Sequence, residues 1–262
     1  MISSWVAYGH VGLSAAAPAL QALGHTVTQL PTTTLSNHPA WPHVAGSPVP
    51  VDRLAAMRDA LDANGWLADH EAVLTGYLPT PDHAAFAAET IDRLRASDHP
   101  PAVTVDPTLG DLPKGLYIAA DAAAALRDLV VPRADILTPN LFELGWLTGE
   151  DDPDRAAARL LQDTEVKAIR VTSPPAKPGR TGILEVTRTA TRRFLADHHQ
   201  GVPHGVGDVF SALTAAGLSC GAALGHLQSL IDHSLQADHL RIAETAAIWT
   251  RAAPIAPDLE RT

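Results

Sequence analysis

The order of apolar segments constrains this chain more than any single motif does. Stretches with helical spacing alternate with short runs that read as strands. Leu13, Ala16, Ala17, Leu20 and Leu23 recur at helical spacing, and Gly24 is placed to end that helix. A strand is expected over residues 27–30, a helix over 52–63, a strand over 72–74, a helix over 82–95 and a strand over 102–105. The pattern repeats with a helix over 119–129, a strand over 135–137, helices over 141–147 and 153–162, and a strand over 166–171. Strands separated by helices cannot pair as tight hairpins, so they predict a mostly parallel α/β sheet covered on both faces.

The rhythm then changes. Residues 183–188 and 191–195 read as a hairpin, and a loop over 198–207 opens onto an apolar helix over 209–218. Pro39, Pro42, Pro48 and Pro50 make residues 36–50 a long exposed loop, a common place for function. Residues 174–179 form a second irregular loop, and no repeat or linker divides the chain, so one domain over 1–262 is expected.

Composition removes several function classes. The 262 residues, 46% of them hydrophobic and 18% charged, suffice for one sizeable core. No apolar run reaches the roughly 18 to 20 residues of a membrane span, and the start lacks a basic region followed by an apolar stretch, so a cytoplasmic location is expected. A net charge of −10 with dispersed basic residues argues against duplex nucleic acid as a partner. The single cysteine, Cys220, excludes an intramolecular disulfide and a zinc site built on several thiolates. Thirteen histidines include no His-Glu-x-x-His, and the adjacent His198 and His199 cannot converge on one ion from a helix face.

One stretch carries chemistry: His204-Gly205-Val206-Gly207-Asp208-Val209-Phe210, a glycine-rich turn entering an apolar helix. Phe210 stands where a dinucleotide fingerprint needs glycine, and no phosphate loop ending in Gly-Lys-Ser/Thr is present. What remains is a helix N-terminus whose backbone N–H groups at Gly205, Val206 and Gly207 can hold an anion. Asp208 behind them either caps the helix or accepts the proton of a hydroxyl attacking that anion. The helix dipole predicts that this carboxylate is a weak base.

Gly-x-Gly-Asp opening a late helix resembles the ribokinase-type small-molecule kinases. Five further segments resemble the pyridoxal kinases, in the same order: Ser4-Trp5-Val6-Ala7-Tyr8-Gly9-His10-Val11-Gly12, Leu35-Ser36-Asn37-His38, Gly76-Tyr77-Leu78, Val105-Asp106-Pro107-Thr108-Leu109-Gly110-Asp111 and Thr138-Pro139-Asn140-Leu141-Phe142-Glu143-Leu144. The resemblance covers about residues 4–220 and implies a ribokinase-like three-layer α/β/α sandwich.

The resemblance also implies roles. Ser4, matching a serine placed after the first strand, would bond the pyridine ring of a B6 vitamer, with Tyr77 packing beside that ring and Val11 and His38 completing its site. Asp208 would be the catalytic base toward the 5′-hydroxymethyl group, and Gly205, Val206 and Gly207 the anion hole. Asn140, Thr172 and Ser173 would lie at the nucleotide, ATP. Asp106, Asp111, Thr138 and Glu143 would support Mg²⁺, since close carboxylates repel unless water or a cation separates them. Read without the family, Asn140 to Glu143 is a helix start with capping-box spacing. A monovalent cation such as K⁺ and a homodimer are further expectations of the resemblance.

Three departures stand out: few residues precede Ser4, Pro39 stands where the family usually carries threonine, and Leu13 replaces a polar residue. A hydroxymethylpyrimidine kinase of the same superfamily, or a vitamer-binding protein without turnover, are the alternative readings. Ser36-Asn37-His38 and Gly76-Tyr77 oppose the first, and the intact Gly205-Val206-Gly207-Asp208 opposes the second.

Overall fold

The computed structural model describes residues 1–261. Its centre is a ten-stranded sheet. In chain order the strands are β1 (Ile2–Val6), β2 (Leu30–Leu35), β3 (Gly46–Pro48), β4 (Ala72–Thr75) and β5 (Ala102–Val105). A separate two-stranded hairpin, β6 (Gly110–Asp111) and β7 (Gly115–Leu116), follows. The sheet continues with β8 (Ile136–Leu137), β9 (Ala168–Thr172), β10 (Arg180–Thr187), β11 (Thr191–Asp197) and β12 (Leu259–Arg261). The spatial order is β12-β11-β10-β9-β8-β5-β4-β1-β2-β3. The block from β9 to β2 is parallel, and the strands outside it on both flanks pair antiparallel.

This order places the site. The chain leaves β1 toward β2 on one side and later returns to lay β4 on the other, so winding reverses between β1 and β4. A crevice opens beyond the carboxyl ends of parallel strands where the connections diverge in this way.

The nine helices of the described residues cover both faces. They are α1 (Leu13–Ala22), α2 (Val51–Ala63), α3 (Pro81–Arg95), α4 (Ala120–Ala125), α5 (Leu141–Thr148), α6 (Pro153–Asp163), α7 (Val206–Ala215), α8 (Cys220–Asp232) and α9 (Ala246–Trp249). Side chains of α2 to α6, such as Leu54, Phe86, Ile91, Leu144 and Leu160, share one core with Val73, Val103 and Val105. Those of α1, α7 and α8 pack on the opposite face, where Leu74 meets Ala16, Leu20 and Ala212. Neighbouring Val73 and Leu74 thus serve opposite layers, as the alternation of a strand requires. Leu13, at the start of α1, is fully buried, which accounts for an apolar residue there. No helix of the described residues is long and apolar enough to cross a membrane.

The alternation expected from the sequence is present, with local corrections. The strand expected over residues 27–30 begins instead at Leu30, because pairing with β1 starts there: Leu30 N–H donates to the Met1 carbonyl (2.9 Å). Pro31 then lacks an N–H for the ladder, and the register slips between Ser3 and Ser4. The helix expected to run to residue 129 is α-helical only to Ala125 and continues as a π-helical turn over Leu126–Val130. Within the exposed loop over 36–50, Gly46–Pro48 forms β3 on β2. The apolar helix expected over 209–218 starts at Val206, three residues earlier.

Candidate active site

Two helix N-termini converge on Asp208, and glycine makes both approaches possible. Gly205, the residue before α7, has φ 98°, and a Cβ on it would strike the His10 carbonyl oxygen. Gly12 precedes α1 at φ 55°, and a Cβ there would strike the Ser4 carbonyl. With these side chains absent, the Gly12 N–H reaches the Asp208 carboxylate. The first intrahelical bond of α7 runs from Val209 N–H to the Gly205 carbonyl (3.0 Å), so the preceding N–H groups have no partner within the helix. Gly207 faces open space.

Asp208 is half-buried and lines a cavity with Ser3, Gly12, Thr75, Gly76, Asp106 and Ser211, at the reversal point between β1 and β4. Burial, reinforced by the nearby Asp106 charge, lifts its pKa to about 7, against the Gly12 N–H and its own N–H. The weak base expected from the helix dipole is therefore corrected: desolvation outweighs the dipole. A carboxylate titrating near neutrality suits general-base work at the pH of most cells.

Three carboxylates share this end of the sheet. Asp106 follows β5 and accepts from Ser211 Oγ (2.7 Å) and Thr108 Oγ1 (3.1 Å). Ser211 has one hydroxyl hydrogen, which it gives to Asp106, so Thr138 is the donor in the 2.8 Å contact between the two hydroxyls. Burial raises the Asp106 pKa to about 6 despite these bonds. Glu143 is buried and raised well above its ordinary value, by burial first and then by Asp106. Its two oxygens accept the Asn140 N–H (2.8 Å) and Leu109 N–H (3.0 Å), and the Asn140 side chain accepts Glu143 N–H (3.0 Å), completing a capping box.

Asp111 reaches the site from a separate element. Asp106 helps to raise both Glu143 and Asp208, while Asp111 sits on the β6–β7 hairpin near Tyr117, whose phenol burial and then Asp111 push up, and near His204.

Oxygen donors with raised pKa values are what a hard divalent cation relieves, and Asp111 Oδ1 is buried without a partner. Among the described residues no three acidic, histidine or cysteine side chains form a ready cage. The donor set fits a Mg²⁺ ion held by one or two carboxylates together with water and phosphate oxygens.

The residues matched to the vitamer lie toward the neighbouring loops. Ser4 lies inside β1, not after it, half-buried with its carbonyl against Gly12. Ser3, which the sequence reading passed over, accepts the Tyr77 N–H (3.1 Å) and lines the Asp208 cavity. Tyr77 is half-buried, its carbonyl accepting Thr32 Oγ1 from the slipped strand β2 (2.7 Å). Val11 and His38 line a second cavity with Tyr8, Trp41, His204 and His239. Pro39 is exposed and absent from both cavity walls. On the other flank Thr172 ends β9, where its N–H donates to the Pro139 carbonyl (2.9 Å) and bridges it to Asn140, and exposed Ser173 holds a left-handed φ of 52°. Asn140 Nδ2 also donates to the Gly110 carbonyl (2.8 Å), tying α5 to the β6–β7 hairpin.

Sequence reasoning missed Ser3, Thr108, Ser211, Gly12, His204 and Lys114. Ser211 was the most accessible of these: it lies three residues after Asp208, one helical turn along the same face.

The sequence profile of the phosphomethylpyrimidine kinase family matches residues 43–229. The pyridoxine/pyridoxal/pyridoxamine kinase of Bordetella avium is 38% identical over 230 residues, spanning 85% of this chain and 78% of that protein. A pyridoxal kinase of Granulibacter bethesdensis is 32% identical over 223 residues, spanning 81% and 78% respectively. Among solved structures, the pyridoxal kinase of Leishmania donovani in complex with ADP and pyridoxamine superposes with a TM-score of 0.88 at 26% identity, over 98% of each chain. With its mostly parallel covered sheet and an open helix N-terminus beside a half-buried aspartate, the chain belongs to the phosphomethylpyrimidine kinase family and, within it, to the pyridoxal kinases of the ribokinase-like superfamily.

Proposed function

We propose that this chain transfers the terminal phosphoryl group of ATP to the 5′-hydroxymethyl group of a B6 vitamer, with Asp208 as general base. The observation that carries the reading is the position of Asp208, on a cavity beside the unpaired N–H groups of α7. The ADP-bound pyridoxal kinase that superposes on this fold supports the choice of co-substrate and acceptor.

Phosphoryl transfer asks the protein for alignment and charge neutralisation more than for covalent chemistry. The acceptor hydroxyl faces Asp208, whose pKa of about 7 leaves a useful fraction ionised at neutral pH. Its proton passes to the carboxylate as the oxygen bonds to phosphorus and the bond to the ADP oxygen breaks. The N–H groups of Val206 and Gly207, at the positive end of the α7 dipole, receive the phosphoryl oxygens. Asp106, Glu143, Thr138 and Asp111 would hold Mg²⁺, which when bound neutralises charge on the phosphates. Asn140, Thr172 and Ser173 form the nucleotide flank, and Ser4, Tyr77, Val11 and His38 the vitamer flank. Lys114 lies near enough to His38 and His204 to lower the pKa of both, and is a cation available to phosphate at the site mouth.

The test is a panel of pyridoxal, pyridoxine, pyridoxamine and hydroxymethylpyrimidine, each with ATP and Mg²⁺ and purified protein. ATP-dependent appearance of a vitamer 5′-phosphate is the expected result. Preference for the pyrimidine would transfer the reading to the chemistry after which the wider family is called. No phosphorylated product from any of the four would overturn it.

A further inference from the structure

His204 stands directly before Gly205, and its ring stacks on His38 with centroids 4.0 Å apart and planes 19° apart. His38 belongs to the segment joining β2 to β3, which is tied up internally. Asn37 Nδ2 donates to the carbonyls of His38 (3.2 Å) and His43 (3.0 Å), and Ser36 Oγ donates to Asn37 Oδ1 (2.6 Å) and accepts the Ala45 N–H (3.0 Å). Ala40 N–H donates to His38 Nδ1 (3.1 Å), which makes that nitrogen an acceptor and places the imidazole proton on Nε2. The segment is thus a preformed unit, and the stacked histidines join it to the helix that bears Asp208.

Both rings are held neutral, so no charge repulsion opposes their face-to-face contact. Burial, then His204, then Lys114 lowers the His38 pKa to about 4. Burial and then Lys114 lower that of His204, against the pull of Asp111. The two rings line the vitamer-side cavity together with Tyr8, Val11 and Trp41.

We propose that His204 is a positioning residue: by stacking on His38 it latches residues 36–45 over the substrate end of the site and so fixes the aromatic wall that a flat heteroaromatic acceptor rests against. This inference rests on the kinase reading above for its substrate, although the latch is a property of the fold alone. The experiment therefore reads both.

Wild-type, His204→Ala and His204→Phe proteins are compared in vitamer kinetics and in hydrogen–deuterium exchange of the peptide covering residues 36–45. His204→Ala is expected to raise the KM for the vitamer by about three- to tenfold, the range that one lost aromatic stack supplies, with kcat changed less than KM. Exchange in residues 36–45 should quicken while the remaining peptides stay as in wild type. His204→Phe, which keeps a neutral ring, should restore both. Unchanged exchange in His204→Ala overturns the latch. So does a KM defect that His204→Phe fails to rescue when both variants melt like wild type. Should His204→Ala fail to fold, His204→Phe paired with His38→Ala carries the test: removing the partner ring must speed exchange in 36–45 and raise KM, and failure to do so overturns the proposal. Absence of vitamer phosphorylation by the wild type defeats the kinase reading and leaves the exchange result to decide the latch.

Discussion

Helices α5 and α7 both begin at the reactive end of the sheet, yet their first turns are opposites. At α5 the Asn140 side chain takes the Glu143 N–H and the Glu143 carboxylate takes the Asn140 N–H, so the helix end is closed by its own residues. At α7 the residue before the helix is Gly205, with no side chain to cap anything. The contrast shows which helix end has free donors for a phosphate: an uncapped N-terminus offers them with a favourable dipole, while a capped one has given its first N–H groups to its own side chains. It also separates two acids that look alike in sequence. Glu143 takes one backbone N–H on each oxygen, whereas Asp208 lines a cavity.

Four changes would break or sharpen this contrast. The largest effect is expected for Asp208→Asn, which removes the base while preserving shape and should lower kcat by at least about 10²-fold. Because the folded protein raises the Asp208 pKa above its unfolded value, native Asp208 binds its proton more tightly than the unfolded chain does. That carboxylate therefore costs stability increasingly as pH rises from about 4 toward about 7. Asp208→Asn should accordingly raise Tm at pH 8 and leave it nearly unchanged at pH 4, which thermal melts at the two pH values check.

Gly205→Ala should come next. It forces alanine into a positive φ, at about 1–2 kcal/mol, and drives a methyl group into the His10 carbonyl. A fall in Tm together with at least about tenfold weaker ATP binding, read by calorimetry, is the expected result. The double variant Asp106→Asn/Asp111→Asn should shift the Mg²⁺ dependence of the rate to higher concentration, and an unchanged titration would remove both from the metal site. The smallest effect belongs to the closed helix: Asn140→Ala should cost about 1 kcal/mol of stability, the usual worth of an N-cap, read as a lower denaturant midpoint.

What the sequence made legible was local. The alternation of segments yielded the parallel sheet, and Gly205 to Asp208 marked a helix N-terminus with a carboxylate behind it. The same residues could not reveal the sign of the Asp208 shift, because the dipole belongs to its own helix while burial and the Asp106 charge come from strands about a hundred residues away in the chain. The hydroxyl chain from Thr138 through Ser211 to Asp106 joins three elements and has no signature in any of them. The β6–β7 hairpin that carries Asp111 left no mark in the sequence, because strands of two residues are too short to show a period. The late start of β2 was hidden by Val27 to Gln29, which read as strand, and by Pro31, which reads as a breaker yet is accommodated where the register slips.

The account depends on a base that burial has tuned to neutrality, and the free enzyme displays it in the pH dependence of kcat/KM for the vitamer. Asp208 and Asp106 interact, so the acid limb reports the pair with the higher apparent pKa near 7. Below that point Asp208 takes up its proton and kcat/KM should fall about tenfold per pH unit. A kcat/KM that stays level from pH 8 down to pH values well below 6 would contradict the account.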